Sequence, residues 1–183
     1  IARFPDRLDL RMGKVYLAVE TDRMDLVRSG LQSAILSGDS IHHEWKWMRE
    51  EVLDSGQYFL YSSVQGHLYE LFEKQDSIAD DIILGISQLM LQQDDQQYFA
   101  MTNIATFFMI KKQFSLAIDW LKKADKFHEK DPIILSNLGY CYGELQEWKK
   151  ARRCYEEAMK WSDAAGREYC QRQLDGLLEQ ERK

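Results

Sequence analysis

The sequence predicts an all-α protein built from helical hairpins packed side by side, and three observations predict it. First, a block recurs at a spacing of 34 residues, between 98–124 and 132–158. Met101 falls on Leu135, Ile104 on Leu138, Ala105 on Gly139, Phe108 on Tyr142, Phe114 on Trp148, Ala117 on Ala151, Leu121 on Tyr155 and Ala124 on Ala158. Large side chains meet large ones, and small meet small. Second, 183 residues contain only two prolines and ten glycines, among abundant Leu, Ala, Gln, Glu, Lys and Met, a composition that suits helix almost throughout. Third, the apolar residues recur at helical rather than strand spacing. One hairpin cannot bury its apolar surface alone, so a period this short means that neighbours supply each other's core.

The elements follow in order. Pro5 stands before the first amphipathic run, where a missing N–H costs nothing. The first hairpin takes residues 5–37, with helices expected over 6–20 and 23–37. Leu10, Gly13, Tyr16 and Leu17 mark one side of its first helix, and Leu26, Val27, Leu31, Ala34 and Ile35 the stripe of its second. In this reading Gly13 and Tyr16 take the places of Gly139 and Tyr142, Ala34 lies near that of Ala158, and the second half is about two residues out of step. Residues 38–56 break the period. A turn at Ser37, Gly38, Asp39 and Ser40 leads into an inserted helix that ends at Gly56.

A repeat-like hairpin follows over 57–93, with helices at 57–73 and 77–92, although it lacks the small–large register. Asp94 and Asp95 break the chain before the two clear repeats, 95–129 and 131–162. Asp131 is the expected N-cap of the helix that Pro132 opens. The last segment, 163–183, carries Tyr169, Leu174, Leu177 and Leu178 on one stripe and ends in EQERK, which suits a capping helix. The whole of 1–183 reads as one helical-repeat domain and as a piece of a longer array.

The period and the small–large alternation resemble the tetratricopeptide repeat. The resemblance is close over 98–163, suggestive over 5–37 and 57–92, and absent from the insert. Met101 and Leu135 stand where the family usually has a tryptophan, and Glu129 and Asp163 replace its late proline. The resemblance implies a right-handed superhelix of hairpins, with an inserted helix and a C-terminal cap. Ala105/Gly139 and Ala117/Ala151 would sit where helices come closest, while Phe108/Tyr142, Phe114/Trp148 and Leu121/Tyr155 fill the space between hairpins. It also implies a concave groove, lined by the first helix of each hairpin, that holds an extended peptide or a partner helix. Carried onto this chain, the groove positions are Phe99, Thr102, Asn103, Thr106, Met109 and Ile110, then Ile133, Ser136, Asn137, Tyr140, Gly143 and Glu144. Phe99 and Tyr140 are the candidate aromatic anchors, and Asn103 and Asn137 the candidate backbone-binding amides.

The expected function is therefore a protein-interaction scaffold. The alternatives are a structural or self-associating module and a chaperone-like binder of an unfolded client. The family's C-terminal-carboxylate clamp does not fit, because Thr102, Ser136 and Tyr140 occupy the places of its gripping residues and Asn137 alone keeps the pattern. No nucleophile–base pair, phosphate-cradling glycine loop or catalytic carboxylate pair is recognisable, so the chain reads as a non-enzyme without cofactor. A net charge of −6 and a pI near 5.3 argue against coating nucleic acid. The basic run Lys149, Lys150, Arg152, Arg153 reads as a solvated face paired with Glu156 and Glu157.

His42, His43 and Glu44 lack a third ligand nearby in sequence, so no metal site is expected, and His67 and His128 are isolated. Trp45 and Trp47 cannot both face one core stripe, which makes them a possible second contact, to a neighbouring hairpin, a partner or a symmetry mate. Cys141, Cys154 and Cys170 read as free thiols, which suits the cytoplasm without excluding secretion. No stretch is long and apolar enough to span a membrane.

Overall fold

The computed structural model describes residues 8–37 and 56–181, with side chains from Arg11 and from Leu60 onward in the two stretches. Among the described residues there are nine helices and no strand. They are α1 (Leu8–Glu20), α2 (Met24–Leu36), α3 (Gly56–Lys74), α4 (Ser77–Gln93), α5 (Tyr98–Ile110), α6 (Phe114–Phe127), α7 (Pro132–Glu144), α8 (Trp148–Trp161) and α9 (Ala164–Glu181). They fall into two compact units, one up to Asp95 and one from Gln96. The inserted helix expected over 38–56, Pro5, the His42–Glu44 cluster and the Trp45/Trp47 pair lie outside the described residues, apart from Gly56, which opens α3.

In the second unit α5 packs on α6, α6 on α7, α7 on α8, and α9 on both α7 and α8. Its starts are chemically marked. Asp131 caps α7 by accepting from the N–H groups of Ile133 (2.8 Å) and Ile134 (3.0 Å), with Pro132 in the first turn. Gln97 caps α5 through Phe99 N–H (3.3 Å), and Asp163 accepts from Gly166 N–H (2.8 Å) before α9. Asp163, where the family's proline is missing, thus has a capping role of its own. Of the set that the repeat picks out, Ala105, Ala117, Leu121, Ala124, Ala151 and Ala158 are fully buried and Tyr155 nearly so, whereas Phe108, Phe114 and Trp148 are only half-buried. A Cβ placed on Gly139 would lie 3.0 Å from the Tyr155 ring, so the small residue there makes room for the large one on the facing helix.

The first unit holds α1 to α4, with α1 on α2, α3 on α1 and α4, and α2 on α3 and α4. Its hairpin turn corrects the register expected for residues 5–37. The helix ends before Asp22, Lys112 and Gln146 share one hydrogen-bond pattern. Asp22 N–H reaches Val19 O (3.2 Å) and Arg23 N–H reaches Ala18 O (2.8 Å). Lys112 and Gln113 do the same to Met109 (3.0 Å) and Phe108 (2.8 Å), and Gln146 and Glu147 to Gly143 (2.9 Å) and Tyr142 (2.8 Å). All three central residues are left-handed, at φ of 56°, 57° and 60°.

Counted from these turns, Val15 is equivalent to Gly139, Tyr16 to Tyr140 and Ala18 to Tyr142, while Val27, Leu31 and Ala34 match Ala151, Tyr155 and Ala158. Val15, Val27, Leu31 and Ala34 are fully buried, whereas Tyr16 and Leu17 are exposed and Gly13 has open space beside it. The second half of the hairpin is in step, and the first-helix match to Gly13 and Tyr16 is the one displaced by two residues. The reason is a swap of sizes between the helices. Val15 is large where Gly139 is small, and Gly30 compensates across the interface: a Cβ on Gly30 would lie 2.7 Å from Val15 Cγ2. Leu26 likewise leaves the expected α2 stripe and is 48% exposed.

Candidate binding surface

The surface expected for a partner lies on α5 and α7, the first helices of the two clear hairpins. On α7, Ile133, Asn137, Tyr140 and Glu144 follow one another at helical spacing and so share a face. Ile133 is 60% exposed, Asn137 and Tyr140 are half-buried, and Glu144 is exposed. Tyr140 is held in place by the edge of Phe114 from α6, with ring centroids 5.9 Å apart at 80°. Desolvation, assisted by the Glu144 charge, raises the Tyr140 phenol above its ordinary pKa, so it stays a neutral donor at physiological pH. A neutral hydroxyl on a fixed ring beside a carboxylate and an amide can hydrogen-bond a peptide while its ring covers an apolar side chain.

On α5 the expected residues divide. Thr106 and Met109 are half-buried and Ile110 is 38% exposed. Phe99 and Asn103, however, are closed to solvent, at 7% and 0% exposure. The cause is the helix itself, YFAMTNIATFFMI, which is apolar around its whole circumference and is buried on more than one side. Its hydroxyls are also engaged, Thr102 Oγ1 donating to Phe99 O and Thr106 Oγ1 to Thr102 O, each at 2.9 Å. Gly143 is likewise a packing position. A Cβ there would stand 3.1 Å from Leu177 Cδ2 of α9, and Tyr140, Glu144, Gln173 and Gln180 surround the same narrow gap.

Tyr16 is a residue that the sequence pattern concealed. It occupies in α1 the place of Tyr140 in α7 and is 49% exposed. Its signal is legible only by counting back from the turn. Two residues of the basic run of α8 are ion-paired, though with other partners than sequence spacing suggests: Lys150 pairs with Glu147, and Arg152 with Glu181 of α9 (2.8 Å). Glu157 instead binds Lys160 (2.6 Å) and Trp161 Nε1 (3.2 Å).

His128 is not isolated either. It stacks on Tyr98 at 4.1 Å and reaches Asp131 at 3.2 Å. The three cysteines are free, and burial pushes the Cys141 thiol up to about 12 and that of Cys154 to about 11. Among the described residues no group of His, Cys, Asp and Glu side chains is placed to hold a metal ion, and no helix is long and apolar enough to cross a membrane.

The Asp131 cap, the Gly139–Tyr155 contact and the left-handed turn at Gln146 all fall in one hairpin. Residues 132–164 match the tetratricopeptide repeat. No curated protein matches the chain. Within the matched segment, Gly139, Tyr142, Ala151, Tyr155 and Ala158 are all buried, and the residues left open on its first helix are Ile133 and Glu144, with Pro132, Ser136, Asn137 and Tyr140 half-open. The tetratricopeptide repeat is a protein-interaction scaffold in general, and the core of this one is built for stacking, which leaves its first helix to present side chains outward.

Proposed function

We propose that this chain binds a peptide segment or helix of another protein on the face of α5 and α7 that carries Thr106, Met109, Ile110, Ile133, Asn137, Tyr140 and Glu144. The observation that carries the reading is the combination on α7 of a tetratricopeptide core with an outward row. Ile133 and Tyr140 offer apolar and aromatic area, and Asn137 and Glu144 offer directional polar contacts. Because stacking fixes α7 beforehand, a partner meets a surface that loses little entropy on binding. Glu144 favours a ligand with a cationic group near Tyr140.

The test is affinity capture from cell extract with the native chain and with an Asn137→Ala, Tyr140→Ala double variant, each first checked by circular dichroism and melting. A protein retained by the first and lost by the folded second supports the reading. Identical captures from both would overturn it.

A further inference from the structure

Beside the row on α7 a narrow gap opens where α7, α8 and α9 meet. Its volume is about 80 Å³, room for two to three groups of a water's size at roughly 30 Å³ each. Leu177 and two glycines, Gly143 and Gly176, form its apolar part. The glycines differ. A Cβ on Gly143 would stand 3.1 Å from Leu177 Cδ2, whereas a Cβ on Gly176 would meet nothing within 4 Å. Gly176 thus leaves space at the gap that a larger side chain could take without a clash.

The polar groups around the gap belong to Tyr140, Glu144, Tyr155, Gln173 and Gln180. Tyr140 and Glu144 lie four residues apart on α7, and Gln173 and Gln180 seven apart on α9, so each pair shares a helix face. Among the described residues none of these five side chains makes a hydrogen bond or an ion pair. Tyr155 is the most telling of them, because it is 1% exposed and its hydroxyl is still without a partner. A buried hydroxyl left unpaired is costly, and a polar ligand in the gap supplies the missing bond.

The charge at the gap is negative. Burial first, and then Glu144, raises the Tyr140 phenol, and no cation opposes the rise there or at Tyr155. Glu144, the two phenol oxygens and the two amide oxygens can all accept hydrogen bonds, and no lysine or arginine lines the gap to use them. A primary ammonium fits this set, since it carries three donors and no acceptor at the end of a thin, unbranched stem. A guanidinium is a planar fork of four heavy atoms, wider than the gap. A carboxylate or phosphate would meet Glu144 as a like charge.

We propose that this gap is a subsite for one lysine side chain of the segment bound on α7. Its ammonium sits against the Glu144 carboxylate among the phenol and amide oxygens, and its last methylenes lie on Leu177. The assignment rests on the peptide-binding reading above and narrows the ligand to a segment that places a lysine at the C-terminal end of α7.

The test titrates n-butylammonium, a lysine side chain without its backbone, into the isotope-labelled full chain and follows its amide resonances. Saturable shifts confined to Gly143, Gly176 and the side-chain amides of Gln173 and Gln180 are expected. Binding should weaken at least about tenfold, a change well resolved in Kd, with Glu144→Gln and separately with Gly176→Leu. Glu144 is exposed and Gly176 has open space beside it, so both variants should keep the native melting midpoint or exceed it. Shifts that do not saturate, that spread over other surface carboxylates, or that survive both substitutions would overturn the subsite. Equal affinity for n-butylguanidinium would overturn its assignment to lysine. The two readings fail separately. A partner still captured through Asn137 and Tyr140, with no n-butylammonium binding, would sink the subsite alone, whereas a saturable ammonium site with capture indifferent to those residues would sink the peptide surface alone.

Discussion

At the scale of single residues, this protein is governed by how much room a side chain leaves. Gly139 lets the Tyr155 ring lie against α7, and a Cβ there would already stand at 3.0 Å from three ring atoms. Gly139→Val should therefore cost on the order of 1–3 kcal/mol in a urea melt, the usual range for overpacking. The same enclosure sets the chemistry of Cys141. Desolvation raises its thiol first, and Glu144 adds to it, to about 12.

The sign of the pH effect follows from that shift. A thiol whose folded pKa lies above its unfolded value favours the native state only while it stays protonated, so its contribution is intact below about pH 9 and is lost between about 9 and 12. Stability should fall as pH rises through that window, by at most about 1.4 kcal/mol per pH unit for this group. Melting curves at pH 8, 9 and 10 check it, and Cys141→Ala should reduce, without abolishing, the slope between the last two points, because the Cys154 thiol and the Tyr155 phenol are also raised by burial.

At the scale of elements, the turns and caps decide where each helix stops and starts. Lys112 and Gln146 are held left-handed in turns of identical hydrogen bonding, a conformation that costs a residue with a Cβ about 1–2 kcal/mol. Lys112→Gly and Gln146→Gly should each stabilise the chain, by about 0.5–1 kcal/mol after the entropy that glycine loses on folding, measured as a raised midpoint in urea. Asp131→Ala should act in the opposite direction, by about 1 kcal/mol, because two N–H groups of α7 lose their acceptor.

The register of α1 was hidden because a glycine–tyrosine pair two residues away imitates the repeat. Only the turn hydrogen bonds show that Val15, not Gly13, faces α2. A pattern of sizes along one helix is ambiguous when the partner helix can carry the small residue instead, as Gly30 does.

At the scale of the molecule, the second unit is closed by what packs on its last hairpin. Leu177 of α9 is 9% exposed and lies over Gly143, while Cys170 of the same helix is buried. Leu177→Ala should cost about 2–3 kcal/mol, within the range for emptying a buried leucine site, and thermal melting measures it. If α9 were a loosely attached tail, the substitution would leave the midpoint unmoved.

The sequence by itself determined the helices, their breaks, the 34-residue repeat and the small–large contacts of the second unit, because these rest on local propensity and on spacing within one hairpin. It also indicated the row Ile133, Asn137, Tyr140, Glu144, since residues at helical spacing share a face whatever surrounds them. The tertiary structure decided which positions stay open. Phe99 and Asn103 sit on a helix whose pattern is apolar on every side, so spacing could not distinguish a groove position from a core one. Leu17 and Cys141 hold the same place in two hairpins and differ only in whether a neighbour covers them. Exposure is a property of what packs against a residue, and that information resides in other parts of the chain.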